Sequence, residues 1–208
     1  MSAKQVDVVI KAPKFETAEF NIRGTAPYVQ NRFSNKAIEA MKAKQEAGST
    51  GKKGKARDGK DFTACYEGAK HLSTDGWNGI PAGAFRAAMI SACRLVGFKM
   101  TLAKLSLFIE ADGVDAVDGT PLVKILGEPH RVDHPVRNES GVMDIRPRPM
   151  WDAGWASKLV IRWDADQFTI QDVTNLLLRV GRQIGIGEGR PDSRNSAGLG
   201  WGLFDLAD

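Results

Sequence analysis

Two stretches of this chain carry a helical period, and alternating stretches stand on either side of each. In AFRAAMISACRLV (84–96), Phe85, Met89, Ala92 and Val96 recur at helical spacing, Gly97 supplies a stop, and Arg86 and Arg94 lie off the stripe. In the second stretch Ile170, Val173, Leu177, Val180 and Ile184 mark one face, behind Thr169, a residue type that caps helices. TAEFNIRGT (17–25), KLSLFIE (104–110), KLVIRW (158–163) and GWGLFDL (200–206) read as strands. In the first of these Phe20 and Ile22 share a face, with Glu19 and Asn21 towards the other. The resulting order is β, α, β, β, α, β, one that many unrelated proteins share.

That order predicts an α+β domain with a ferredoxin-like (RRM-like) split βαβ core, two helices covering one face of four strands. Two insertions interrupt it. One, 27–79, precedes the first helix; it includes a short helix at 36–46, and its 33–78 portion reads as a basic thumb. The other, 112–156, is rich in Asp, Gly, Pro and Arg, with VKIL (123–126) and GVMDI (141–145) as strands of a projecting ribbon. With 208 residues, 42% of them hydrophobic, the chain is expected to form one domain over 1–208 with an ordinary core.

The two cysteines, Cys65 and Cys93, have neither disulfide-framework nor zinc-site spacing, which fits a reducing compartment. MSAKQVDVVI lacks a basic-then-apolar signal pattern, and no apolar run approaches the ~20 residues of a membrane span. The expectation is a soluble, cytoplasmic protein with no membrane partner.

Charge is unevenly spread. KQEAGSTGKKGKARDGK (44–60) holds six Lys/Arg against Glu46 and Asp58, a difference equal to the whole net charge of +4. Having no aliphatic anchor beyond alanine, it reads either as a solvated loop or as a phosphate-seeking arm carrying Lys52, Lys53 and Lys55. Positive charge also accompanies IGIGEGRPDSRNSAGLGWGLF (184–204). There Gly185, Gly187, Gly189, Gly198, Gly200 and Gly202 would let backbone N–H groups approach an anion, and Arg182, Arg190 and Arg194 bring planar guanidinium groups to phosphate oxygens. This run follows a helix, unlike the dinucleotide fingerprint, and lacks the Gly-Lys-Ser/Thr of a Walker loop. Its other reading is a loop whose glycines serve turns. RPRPMWDAGW (146–155) sets Arg146 and Arg148 beside Trp151 and Trp155, a pairing that stacks bases unless the tryptophans are buried. Arg23, Gln30, Asn31 and Arg32 flank the end of the first strand as further contact candidates.

Two segments carry a family resemblance. GIPAGAFRAAMISACR (79–94) resembles the proline-glycine turn and arginine-bearing first helix of the RAMP superfamily of CRISPR-associated proteins, with Ile80, Pro81, Gly83, Phe85 and Arg86 in matching positions. Ala82 and Ala84 depart from the small hydroxyl residues common there. GLGWGLF (198–204), before the last strand, is similar to that superfamily's glycine-rich loop. Length and insertions look most like the backbone subunits, which stack along a guide RNA with one insertion as a thumb. The resemblance therefore implies RNA binding through phosphates, self-assembly along the strand, and the company of other effector subunits. A stand-alone relative would look the same.

The superfamily includes ribonucleases that use a histidine, or an aspartate with a metal. Here His71, His130 and His134 are isolated in loops, and Asp58, Asp61 and Asp75 have no recognisable surrounding motif. The expectation is a binding protein without catalytic residues, metal or cofactor. It would coat single-stranded RNA, or single-stranded DNA, as a homo-oligomer with little base readout. A metal-dependent ribonuclease and a protein-interaction module that mimics an effector subunit stay open.

Overall fold

The computed structural model describes residues 11–32, 60–137, 141, 143–193 and 197–207. Its centre is a four-stranded antiparallel sheet. β1 (Phe15–Gly24) alternates as the sequence predicts: Ala18, Phe20 and Ile22 turn inward, while Thr17, Glu19, Asn21 and Arg23 are exposed. β1 pairs antiparallel with the distant β9 (Ala156–Asp164), in register from Phe15–Asp164 to Arg23–Ala156. β4 (Leu107–Glu110) adds to β9, and β10 (Phe204–Leu206) adds to the other edge of β1. The order is β10-β1-β9-β4. Every neighbour is antiparallel, so β1 and β4 run parallel with β9 between them.

Helices cover the inner face. α2 (Ala82–Ala92) lies on the path from β1 to β4, and α4 (Ile170–Arg179) connects β9 to β10. Phe85, Met89, Val173, Leu177 and Val180 pack there against Ile22, Leu107, Leu159, Ile161, Trp163 and Phe204, all buried. The Thr169 cap is present as a capping box: its side chain accepts from Asp172 N, and the Asp172 carboxylate accepts from Thr169 N. After Arg179 a π-helical turn (Val180–Ile184) follows. Gly181 sits within it because a Cβ would lie 2.2 Å from Phe204 O.

Several expectations change in detail. The stripe of α2 does not continue to Val96, which is 49% exposed, because the chain tightens into a 3-10 turn (Cys93–Val96) before Gly97 stops it at φ 69°. Likewise Ile170, at the exposed first turn of α4, is outside the packed stripe. The strand expected at 104–110 begins only at Leu107. Residues Met100–Ser106 form helix α3, where Ala103 and Ser106 are buried and Leu105 is 71% exposed, a helical period and not an alternating one. The expected strand 200–206 is reduced to Phe204–Leu206. The helix expected at 36–46, like most of the thumb, lies outside the described residues.

The insertions form two small sheets. β7 (His130–Arg137) and β8 (Met143–Trp151) make the ribbon, with β2 (Tyr28–Val29) on the far side of β8. β8 is longer than GVMDI and runs through RPRP. β3 (Gly79–Pro81), β6 (Pro121–Lys124) and β5 (Gly113–Val114) form the other sheet, in the order β3-β6-β5. α1 (Phe62–Glu67), capped by Asp61 at its N-terminus, packs on the ribbon. Lys60 pairs with Asp144 at 3.0 Å, and the Tyr66 hydroxyl donates to Pro129 O.

A buried polar cluster ties these pieces together. The Asp115 carboxylate, 1% exposed, holds His71 Nδ1 at 2.8 Å and Arg32 Nε at 3.4 Å; its other oxygen accepts from Val117 N and Asp118 N. Arg32 also reaches Asp118 at 3.3 Å. Burial opposes ionisation of Asp118, but its bonds from Thr120 and the Arg32 charge outweigh that and lower its pKa. Among the described residues no helix is long and apolar enough to cross a membrane.

Candidate nucleic-acid interface

The RPRP run is a strand whose alternation sorts its two residue types. Pro147, Pro149 and Trp151 turn to a buried face, and Arg146, Arg148 and Met150 to the other. Pairing places Val132 opposite Arg148 and His134 opposite Arg146 on that same second face. The face meets the glycine-rich loop. Arg148 Nε reaches Glu188 Oε2 at 2.5 Å, and the His134 ring lies edge-on to Trp201 with centroids 5.1 Å apart. Arg146 pairs with Asp144 at 3.4 Å. From the loop itself, Arg190 donates to Gly187 O at 2.9 Å.

The loop is held by its own backbone. Ile186 N donates to Gly202 O, Gly202 N to Pro27 O, Glu188 N to Val29 O, and both Leu199 N and Trp201 N to Gly189 O. Its glycines all have positive φ, and two show why no other residue serves. A Cβ on Gly202 would lie 1.8 Å from Ile186 O, and one on Gly187 2.5 Å from Val29 O and 2.6 Å from the Tyr28 ring. The expectation that these glycines all serve to admit an anion is therefore corrected: most admit the protein's own chain. Gly200 differs, since a Cβ there would meet nothing within 4 Å. The N–H groups of Gly187, Gly189 and Gly200 have no hydrogen-bond partner among the described residues. Beside them a cavity of about 330 Å³ opens between α2 and the loop, lined by Ala84, Ala88, Ser91, Gly187, Arg190 and Asp192 among others.

A latch closes one side of this cavity. Ser91 Oγ donates to Asp192 at 2.5 Å, and Arg94 donates to the other Asp192 oxygen at 2.6 Å. The Ser91 hydrogen bond, helped by Arg94, holds the Asp192 carboxyl below the usual carboxylate range.

The sequence matches no protein-family model and no curated protein.

Of the residues expected to contact nucleic acid, Arg146, Arg148, Arg190, Gly185, Gly187, Gly189, Gly198 and Gly200 come together on the ribbon and loop. Others do not. Arg32 is 7% exposed and committed to Asp115 and Asp118, so it cannot also grip an external phosphate. Trp151 is 1% exposed with Nε1 donating to Gly127 O, so no base can stack on it. Trp155 is buried too, its indole donating to Ala26 O. Arg86 donates to Leu107 O and Lys104 O and lies 5.1 Å from the Phe108 ring, joining α2 to α3 and β4. Arg182 forms a two-pronged pair with Asp205. Arg23 is exposed on the open face of the main sheet, away from the helices. Lys52, Lys53, Lys55 and Arg194 lie outside the described residues.

The interface also holds residues not expected there: Glu188, His134 and Trp201. Trp201 stood in plain view inside GLGWGLF. Nothing local marks His134, because its position depends on pairing across the ribbon.

Proposed function

We propose that this protein binds single-stranded nucleic acid, RNA in the first instance and single-stranded DNA in the second. The strand would lie over the face where the ribbon meets the glycine-rich loop. One observation carries the reading: Arg146, Arg148 and Arg190 gather beside three backbone N–H groups without described partners and the half-buried ring of Trp201. Guanidinium groups and loop N–H groups recognise phosphate, and an indole face can stack a base. Binding by such a site is salt-sensitive and poor in base readout. Glu188 competes with phosphate for Arg148 and Asp144 for Arg146, while Arg190 bonds a backbone carbonyl, so Arg190 is the stronger anchor.

We read the core as ferredoxin-like, of the RAMP backbone type. Support comes from the order β10-β1-β9-β4, with a helix on the path between the parallel pair β1 and β4 and another between β9 and β10. On this reading the protein is a structural subunit, not an enzyme, and copies stack along the strand. In fluorescence anisotropy with labelled 20-nucleotide oligonucleotides, the Arg146→Ala/Arg190→Ala variant should bind at least about ten-fold more weakly at low salt, with a shallower salt slope. Unchanged affinity in a folded double variant would refute the site.

A further inference from the structure

A second cavity, of about 330 Å³, shares no lining residue with the ribbon or the loop; Trp77, Asp112, Lys124, Leu126 and Lys158 line it. It lies where the β3-β6-β5 sheet meets the main one, for Leu126 bridges Ala156 beside Lys158 of β9. The backbone is shaped around Trp77. A Cβ on Gly113 would come within 2.9 Å of the indole, and one on Gly79 within 3.0 Å of it and 2.8 Å of Leu122. Glycine on β3 and on β5 thus leaves room for the ring to lie against the small sheet. The turn before it is fixed from both ends: Ser73 N donates to Trp77 O at 2.9 Å, and Trp77 N donates to Ser73 Oγ at 3.2 Å.

The polar groups around this ring are oriented but not fully used. Asp112 Oδ2 accepts from Lys124 N at 2.8 Å, which sets the carboxylate, and Oδ1 has no partner among the described residues. Neither the Trp77 indole N–H nor the Lys124 ammonium has one either. Lys158 is shared with Glu19 at 3.2 Å. A half-buried indole with its polar tip free is unlike Trp151 and Trp155, whose N–H groups both donate to carbonyls. The volume matches the lower end of small-molecule pockets, about 300 Å³.

We propose that this cavity binds a guanine nucleotide. The indole stacks the base, Asp112 accepts from the adjacent N1–H and 2-amino donors of guanine, and Lys124 takes the phosphate. A free carboxylate beside the ring disfavours a bare phosphate, and adenine lacks the adjacent pair of donors that a carboxylate reads best. The nucleotide is either free or one residue of a bound strand, and the chemistry of recognition is the same.

Calorimetric titration of the full chain with GMP, AMP, CMP and UMP tests the free form. Oligouridylate with and without a single guanosine, followed by photocrosslinking, tests the strand form. Saturable binding tightest for GMP, or a guanosine-dependent gain in affinity with a crosslink at Trp77, supports the proposal and tells the two sources apart. Trp77→Ala should weaken binding about ten-fold or more, since stacking on an aromatic carries much of such an interaction. Trp77→Phe should keep part of it, and Asp112→Asn should bring the preference for GMP over AMP close to one. Lys124→Ala, an exposed change, should weaken all four nucleotides alike. The idea is overturned if no mononucleotide binds saturably and the guanosine changes neither affinity nor crosslinks, or if binding is indifferent to Asp112→Asn and Lys124→Ala. Arg146→Ala/Arg190→Ala should leave GMP binding intact, so this site and the proposed interface can fail separately.

Discussion

Replacing Asp115 by Asn tests the buried cluster on which the insertions depend. The carboxylate is 1% exposed and faces the Arg32 guanidinium at 3.4 Å and the His71 ring at 2.8 Å. An amide of the same shape still accepts one hydrogen bond but supplies no charge. Arg32, itself 7% exposed, would then keep only Asp118 at 3.3 Å. Removing one partner from a buried pair typically costs about 3–5 kcal/mol, because the remaining charge is left without compensation. Asp118 remains to compensate part of it, so about 3 kcal/mol is expected. For a chain of this size each kcal/mol moves the melting temperature by about 2–4 °C, a total fall of about 6–12 °C. Differential scanning calorimetry reads this directly. A companion double variant, Asp115→Asn/Arg32→Met, removes the stranded charge and should recover part of the loss. A shift below about 2 °C in the single variant, with native circular dichroism, would refute the argument that this pair is structurally committed.

Four further variants probe the loop and the ribbon. Gly202→Ala should destabilise the protein by about 2 kcal/mol or more, because a Cβ would lie 1.8 Å from Ile186 O at a φ of 69°; urea denaturation measures it. Asp192→Asn should cost about 1 kcal/mol at neutral pH. Since the folded pKa of Asp192 is lowered, that difference should be constant above the ordinary carboxylate range and vanish as pH falls through the folded value. Denaturation of both proteins from pH 7 down to pH 3 checks the sign. Trp201→Ala should weaken oligonucleotide binding in anisotropy while leaving the fold intact, whereas Trp151→Ala should cost about 3–5 kcal/mol of stability, a buried ring being lost.

How far the sequence could be read depends on how local each signal is. β1, β9 and the two main helices were legible because alternation and helical spacing are properties of neighbouring residues, and Thr169 and Gly97 punctuate them as expected. Leu105 and Val96 misled because an apolar residue signals burial only if its element keeps its period, and here α3 and a 3-10 turn intervene. RPRP lay outside the strand expected at GVMDI (141–145); in the structure it belongs to β8, and its prolines share a buried face. The site was harder still. Arg32 looks like Arg146 in sequence, and only carboxylates more than 80 residues away separate a buried structural arginine from a candidate phosphate ligand. The glycines were legible as a special backbone, but not what fills the space they leave.

Size-exclusion chromatography of the purified protein, with the 260/280 nm absorbance ratio followed across the column, bears most directly on the claim that it coats a single strand. A strand-coating protein gives a large, nucleic-acid-containing peak, or one that forms on adding single strands, and that collapses under RNase, or under DNase if the strand is DNA. A nucleic-acid-free monomer that also fails to bind added single-stranded RNA and DNA at low salt would contradict that claim.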